Sequence, residues 1–266
     1  PNTQAKLFMQ LPRLWLQNVD EWRQKRHESS MKVTESPEAK LPLTLSWFIF
    51  ELITKSMILH ANEKKVLNSD VRQDEEIFPE FRYLLEKMVR ITAKEIIYRS
   101  GVGLNIAKLL NSNIALFLRD LLDILDRGFI LSQIESYLRM ISHTPDFKNI
   151  EVLQELRVIF LQVVVDYEHY VPMCLPSLTR SVEEHESSTA HYLSGILIDH
   201  CVKDIVNKER VVRTRSLNLI RSVLTKHEYD KRYQSKEIRA KVASLYFPFL
   251  TQFLESFEAF SEAASE

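Results

Sequence analysis

The side chains best suited to bind a metal or move a proton gather late in the chain. They are His185, His191, His200 and Cys201, close to Glu183 and Glu184. A metal needs several such ligands converging from fixed spacing. His191 and His200 are nine residues apart, which on a helix sets them roughly on opposite sides. Glu168-His169 lies at an expected helix end between Tyr167 and Tyr170. An imidazole there caps or packs more readily than it acts as a base. Gly101-Val102-Gly103 has the glycines of a phosphate loop without the preceding strand such a loop requires. No nucleophile stands in a recognisable elbow or motif. The expectation is no enzyme in this stretch of chain, with no catalytic residue, no metal and no cofactor.

Residues 203–241 carry the one charge anomaly, twelve Lys/Arg against five Asp/Glu. Arg210, Arg213, Arg221, Lys226, Lys231, Arg232, Lys236 and Arg239 form a candidate interaction ridge for anionic lipid or an acidic partner. The plainer alternative is the solvated face of two helices. Aromatic residues are scarce beside these charges, which argues against single-stranded nucleic acid.

The elements that must position these residues read as helices. The central stretch is Asn111 to Ser142. Ile114, Phe117, Leu118, Leu121 and Leu125 share one face, and Ile130, Ile134, Tyr137 and Ile141 repeat the pattern. Asn111, Ser112 or Asn113 is expected to cap the first half. Gly128 is the structural turn between the halves, expected at positive φ. Arg119, Asp123 and Arg127 form a surface ladder at i,i+4 steps.

Before this stretch, residues 3–24 form an amphipathic helix that Pro12 kinks or splits. Leu43 to His60 is apolar nearly all round and should be central. Ile77 to Arg99 is helical and stops at Ser100–Gly103. After it, residues 150–167 are long enough to favour helix over a valine-rich strand. Residues 189–207 and 209–227 form a helix pair. The last helix, Lys236 to Phe260, should bend at Pro248. Phe253, Phe257 and Phe260 make an apolar packing or dimer stripe near its end. Segments 25–41, 62–76 and 171–188 read as flexible loops.

The totals agree with an all-helical chain of 266 residues, 45% of them apolar. Four glycines and nine prolines are too few for the turns of an all-β protein. The net charge of −1 gives no global attraction to nucleic acid. No apolar run reaches about 18 residues, so no membrane span is expected. Cys174 and Cys201 do not make a disulfide framework. A cytoplasmic, reducing location is the simplest reading of that cysteine usage. The start at Pro1 without methionine hints at an excised fragment. Helices recur every 20–35 residues without a strict repeat. The expected fold is a right-handed α-solenoid of armadillo/HEAT-like repeats spanning 1–266 as one region. A compact bundle is the alternative.

Several short stretches occur in a specific order. They begin with Ser46-Trp47-Phe48, Lys55-Ser56-Met57, Leu116-Phe117-Leu118 and Asp126-Arg127-Gly128-Phe129. Glu168-His169-Tyr170-Val171-Pro172 with Leu175-Pro176 follows, then His191-Tyr192-Leu193-x-Gly195. Lys226-His227-x-x-Asp230-x-Arg232-Tyr233, Ala240-Lys241-Val242-Ala243 and Leu245-Tyr246-x-Pro248 complete the series. Together, across 43–254, they resemble the middle of dedicator-of-cytokinesis (DOCK) proteins, most closely the zizimin-like branch. That resemblance implies an armadillo-like array between a lipid-binding C2-like domain and a catalytic exchange domain acting on Rho-class GTPases. The exchange domain's motifs are not in this chain, so no catalytic residue carries over. The implied role is a scaffold that spaces and orients those domains. The implied partners are neighbouring domains of the same protein and a second copy of the chain. A Rho-family GTPase would be reached only through the exchange domain, and membrane contact would be peripheral at most. The rival reading is a stand-alone adaptor that binds partners through the basic ridge or the 171–188 loop.

Overall fold

The computed structural model describes residues 7–28, 37–63, 78, 80–143, 149–175, 192–207 and 209–265. Every regular element among them is helical. They divide into two compact units, Pro1–Leu156 and Arg157–Glu266.

The first unit holds α1 (Leu7–Glu28), α2 (Pro37–Thr44), α3 (Ser46–Glu63), α4 (Phe81–Val102), α5 (Leu104–Leu121) and α6 (Arg127–Ser142). It ends inside α7 (Ile150–Val165). Helix α1 packs on α3 and α4, α3 on α5, and α4 on α5 and α6. Only Gly103 separates α4 from α5, so those two fold straight back on each other. This is the unit of a helical-repeat solenoid.

The apolar spacing explains the packing. Helix α1 buries Phe8, Trp15, Leu16 and Val19, residues one or two turns apart. It stays continuous through Pro12. One lost backbone bond early in a helix is outweighed by burying large side chains on both sides of it, each contributing about 1.5–3 kcal/mol. Phe8 meets Phe78 edge-on at 5.3 Å, and Phe50 of α3 stacks on Phe117 of α5 at 4.8 Å. Two buried hydrogen bonds cross between these helices. Asn113 Nδ2 donates to Ser46 Oγ at 2.8 Å, and the Phe8 amide to Ser56 Oγ at 3.1 Å.

Three expectations about the central stretch are corrected. Helix α5 begins at Leu104, so Asn111, Ser112 and Asn113 lie within it and cap nothing. Asn111 is wholly buried and bridges helices. Its Nδ2 donates to the Leu156 carbonyl of α7 at 2.9 Å, and its Oδ1 accepts from the Tyr137 hydroxyl of α6. Gly128 is not at positive φ. It is the second residue of α6, whose cap is Asp126, with Oδ1 accepting from the Phe129 amide at 2.8 Å. The cost expected for replacing a left-handed glycine therefore does not arise there. The Arg119–Asp123–Arg127 ladder is also absent. Helix α5 stops at Leu121, and Arg119 pairs with its neighbour Asp120 at 3.2 Å.

The second unit holds the rest of α7, then α8 (Tyr170–Cys174), α9 (Leu193–Ile205) and α10 (Arg210–Tyr229). A 3₁₀ turn at Lys231–Tyr233 leads to α11 (Lys236–Ser244), α12 (Phe247–Glu255) and α13 (Phe257–Ser265). Helix α9 is central, packing on α8, α10 and α12. The 150–167 stretch is helix, not strand. The single helix expected over Lys236–Phe260 is instead three. It breaks at Leu245-Tyr246 and at Ser256, and Pro248 sits in the first turn of α12, where its missing N–H costs nothing.

The expected loops are helical at their margins. Segment 25–41 gives its ends to α1 and α2, 62–76 opens on the last two residues of α3, and 171–188 opens on most of α8. Leu175 then follows α8, and the remainder of each segment lies outside the described residues.

The Asn111 bridge generates a prediction. Burial raises the Tyr137 hydroxyl far above the ordinary phenol range, so it stays a donor. Tyr137→Phe removes that donor and leaves a buried amide oxygen unsatisfied, a loss of about 1–3 kcal/mol. Urea unfolding should show it as a lower midpoint at unchanged slope. A midpoint equal to the parent's would mean that the bond contributes nothing to the fold.

Candidate functional site

The titratable cluster around α9 is structural where it is described. His185, His191, Glu183 and Glu184 lie outside the described residues. His200 and Cys201 are buried neighbours on α9. Burial pushes the Cys201 thiol up to about 12, against the opposing charge of Arg157, and raises Cys174 as well. Neither thiol is a ready nucleophile, because the thiolate is the reactive form. No group of three or more His, Cys, Asp or Glu suited to a metal occurs among the described residues. Exposed His169 leads into α8, its backbone carbonyl accepting from the Met173 amide at 2.9 Å. Gly101-Val102-Gly103 is the α4–α5 corner.

The basic ridge is spread over α10, the 3₁₀ turn and α11. Three of its eight cations are engaged by other described residues of the unit. Lys226 pairs with Asp166 at 2.6 Å, and Arg232 pairs with Asp230 at 2.8 Å and approaches Glu168 at 3.8 Å. Arg213 donates to the Asn207 carbonyl at 2.7 Å. Arg210 and Arg221, eleven residues apart, share an exposed face of α10 on which Leu217 and Leu224 are also exposed. Lys231, Lys236 and Arg239 are exposed on the following elements.

The phenylalanine stripe is partly sheltered. Phe253 and Phe260 are half-buried and meet at 5.3 Å, whereas Phe257 is exposed. Of the outward side of the same helices, sequence reasoning named Phe257 and missed the rest. Phe247, Leu250, Leu254 and Phe257 recur at three- and four-residue steps and are all more than half exposed, Leu254 by 71%. The helical spacing of these four was legible, but their direction depended on which face of α12 meets α9. A second apolar surface also went unread. It is a groove of about 550 Å3 between α3 and α5, walled by Trp47 and Leu116 and floored by Phe50 and Phe117.

A buried histidine sits among the ridge cations. His227 of α10 is enclosed by Tyr170, Tyr233 and Tyr246, with ring centroids 5.3, 6.4 and 5.9 Å away. Its Nδ1 lies 2.9 Å from the Tyr246 hydroxyl. Burial raises that hydroxyl's pKa, so a protonated phenol shares this hydrogen bond with the ring. Burial, then the charge of Lys226, pushes His227 down to about 4 from its ordinary 6.5, with Asp230 opposing. The unfolded chain therefore takes up a proton near pH 6.5 that the folded chain refuses until about pH 4. Stability is full above the unfolded value and falls as pH drops through that window, by up to roughly 3 kcal/mol. Urea titrations from pH 7 to 4 should show the fall, and His227→Gln should flatten it. An equal slope in the variant would assign the loss to other groups.

Comparison with known proteins follows the helices. A family model described as the TPR domain of DOCK6-11 matches residues 17–165. Human Dedicator of cytokinesis protein 7 is 29% identical over 80% of this chain and 12% of its own length. The Arabidopsis thaliana guanine nucleotide exchange factor SPIKE 1 is 30% identical over 82% of this chain and 11% of its own. Mouse Dedicator of cytokinesis protein 9 is 28% identical over 80% of this chain and 11% of its own. The chain thus spans about an eighth of the curated relatives it matches. Proteins 7 and 9 match almost equally, so identity does not single out the zizimin-like branch. No solved structure matches the chain. No helix among the described residues is long and apolar enough to cross a membrane.

Proposed function

Because the chain belongs to the DOCK6-11 TPR-domain family, we propose that it is a non-catalytic helical-repeat scaffold within a Rho-family guanine nucleotide exchange factor. In this reading it spaces and orients the lipid-binding and exchange domains of the same protein. A GTPase is engaged only by the exchange domain. The name of SPIKE 1, a guanine nucleotide exchange factor, supports the class of parent protein.

The observation that carries the scaffold role is the exposed apolar face of α12 and α13. A repeat that closes an array presents a polar outer face. Here Phe247, Leu250, Leu254 and Phe257 face solvent instead. That face suits an adjoining repeat in the longer protein, and in the isolated chain it suits a second copy. The candidate ridge, from Arg210 to Arg239, is in this reading a solvated face with internal pairs rather than a lipid-binding surface.

Two measurements test the reading. Release of a fluorescent nucleotide from Rac-class GTPases should stay at its spontaneous rate when the purified chain is added. Acceleration well above that rate would sink the scaffold role. Light scattering should show mass rising with concentration for the parent chain. Leu254→Asp with Phe257→Asp should hold it monomeric at an unchanged melting temperature, since neither side chain is in the core. A mass equal to the parent's at every concentration would remove the case for self-association.

A further inference from the structure

The groove between α3 and α5 lies wholly in the first unit and is not used by the scaffold role. Its shape is that of a seat for a helix. Trp47, Phe50, Thr54 and Ile58 line it from α3 at steps of three or four residues. From Trp47 to Ile58 it runs roughly 16 Å, about three helical turns. Its floor is rigid, because Phe50 and Phe117 are core residues stacked on each other. Its wall is exposed. Trp47 is 51% accessible and packs edge-to-face on Phe48, itself exposed, at 5.6 Å. A tryptophan standing in solvent over an apolar floor is the residue type that most often dominates a protein interface.

The rim determines what can sit there. Glu51, Asp120 and Asp123 line the groove against two cations, Lys55 and Arg119. Both cations lie against carboxylates, Lys55 with Glu51 at 2.5 Å and Arg119 with Asp120 at 3.2 Å. Burial raises the Asp120 carboxyl above its usual range. Arg119 opposes that rise, and the carboxylates of Asp123 and Glu51 add to it. With three carboxylates against two cations the lining keeps one net negative charge, which favours a cationic occupant over an anionic one.

The chain's own exposed stripe is a poor occupant. Glu255, Glu258 and Glu262 accompany it, and no lysine or arginine occurs from residue 242 to 265. Anionic lipid and nucleic acid meet the same objection. We propose that the α3–α5 groove docks a three-turn amphipathic helix of a partner protein. Its apolar face would lie on Phe50 and Phe117, against Trp47, and lysine or arginine would run along the edge that meets Glu51, Asp120 and Asp123. This is the helix-in-groove mode of recognition, with charge fixing the orientation.

The full 266-residue chain is the test material. The probe is a fluorescein-labelled peptide of about 15 residues, with leucine on one helical face and lysine along its edges. One control peptide carries glutamate at every lysine position, and another scrambles the order. Fluorescence anisotropy at physiological salt should show saturable binding of the lysine peptide alone, with both controls about tenfold weaker or worse. Trp47→Ala should weaken it by a similar factor. Asp123→Lys should weaken the lysine peptide and strengthen the glutamate one. Both positions are exposed, so far-ultraviolet circular dichroism should match the parent, and either variant alone suffices if the other fails to fold. The proposal is overturned by no saturable binding, by equal binding of the scrambled peptide, or by a folded variant with parental affinities. A concentration-dependent dimer lost in Trp47→Ala would give the groove to a second copy and would overturn it equally.

Discussion

The carboxamide of Asn111, cut off from water, ties three helices of the first unit together. It sits within α5, accepts from Tyr137 of α6 and donates to the Leu156 carbonyl of α7. The Leu156 bond reaches a backbone carbonyl inside another helix, and backbone carbonyls there already serve the helix ladder. A second lone pair makes the extra bond available. Formed in full, the bridge contributes about 1 kcal/mol per bond, but half-formed it costs more than it gives. That asymmetry fixes the register of α5. If α5 slid by one residue, Asn111 would lose both partners while still buried. Phe117 would also leave its stack on Phe50, and Asn113 its bond to Ser46.

The charges follow the same logic of pairing before burial. In the first unit Glu95 is buried, and Arg26, Arg23 and Arg99 converge on it at 2.7, 3.5 and 3.2 Å. In the second unit Asp204 is buried against Arg157 and accepts from Ser216 at 2.7 Å. A buried pair is weak evidence for net stability, but losing one member is costly. These pairs therefore act as locks on geometry, α1 to α4 in one unit and α7 to α9 and α10 in the other. The exposed pairs among the ridge cations, such as Lys226 with Asp166, contribute far less each. They do show why a run of cations in sequence need not make a cationic surface.

What was legible in the sequence was the helical content and, mostly to within a few residues, the helices with strong apolar period. The 150–165 helix declared itself by length despite its valines. The misreadings share a cause, which is that local propensity and tertiary demand compete. Asparagine is a good cap, so Asn111 read as a helix start, but burial against Tyr137 and Leu156 overrode that. Glycine is a good helix end, so Gly128 drew attention away from Asp126, two residues earlier, which is the true cap. Pro248 read as a bend inside one helix because nothing local marked the breaks before and after α12. The resemblance to the DOCK family lay in ordered short motifs rather than in any repeat, and the family match, over residues 17–165, covers the first four of those motifs.

The candidate surfaces were less legible because direction, not composition, defines them. Helix α3 is apolar nearly all round, and such a helix reads as fully buried. In the fold its Phe50, Ile53 and Met57 are buried, while Trp47, Phe48, Ile58 and Leu59 remain exposed. An all-apolar helix left open on one side has more apolar surface than its own unit can cover. The same holds for α12, where Phe249 is half-buried and Phe247, Leu250 and Leu254 are exposed. Each unit thus has a helix whose apolar surface exceeds what its packed neighbours cover. In α3 the unmet side is ringed by carboxylates, and in α12 and α13 it is accompanied by glutamates. Charge therefore bears most directly on the groove, where Glu51, Asp120 and Asp123 stand on the rim itself.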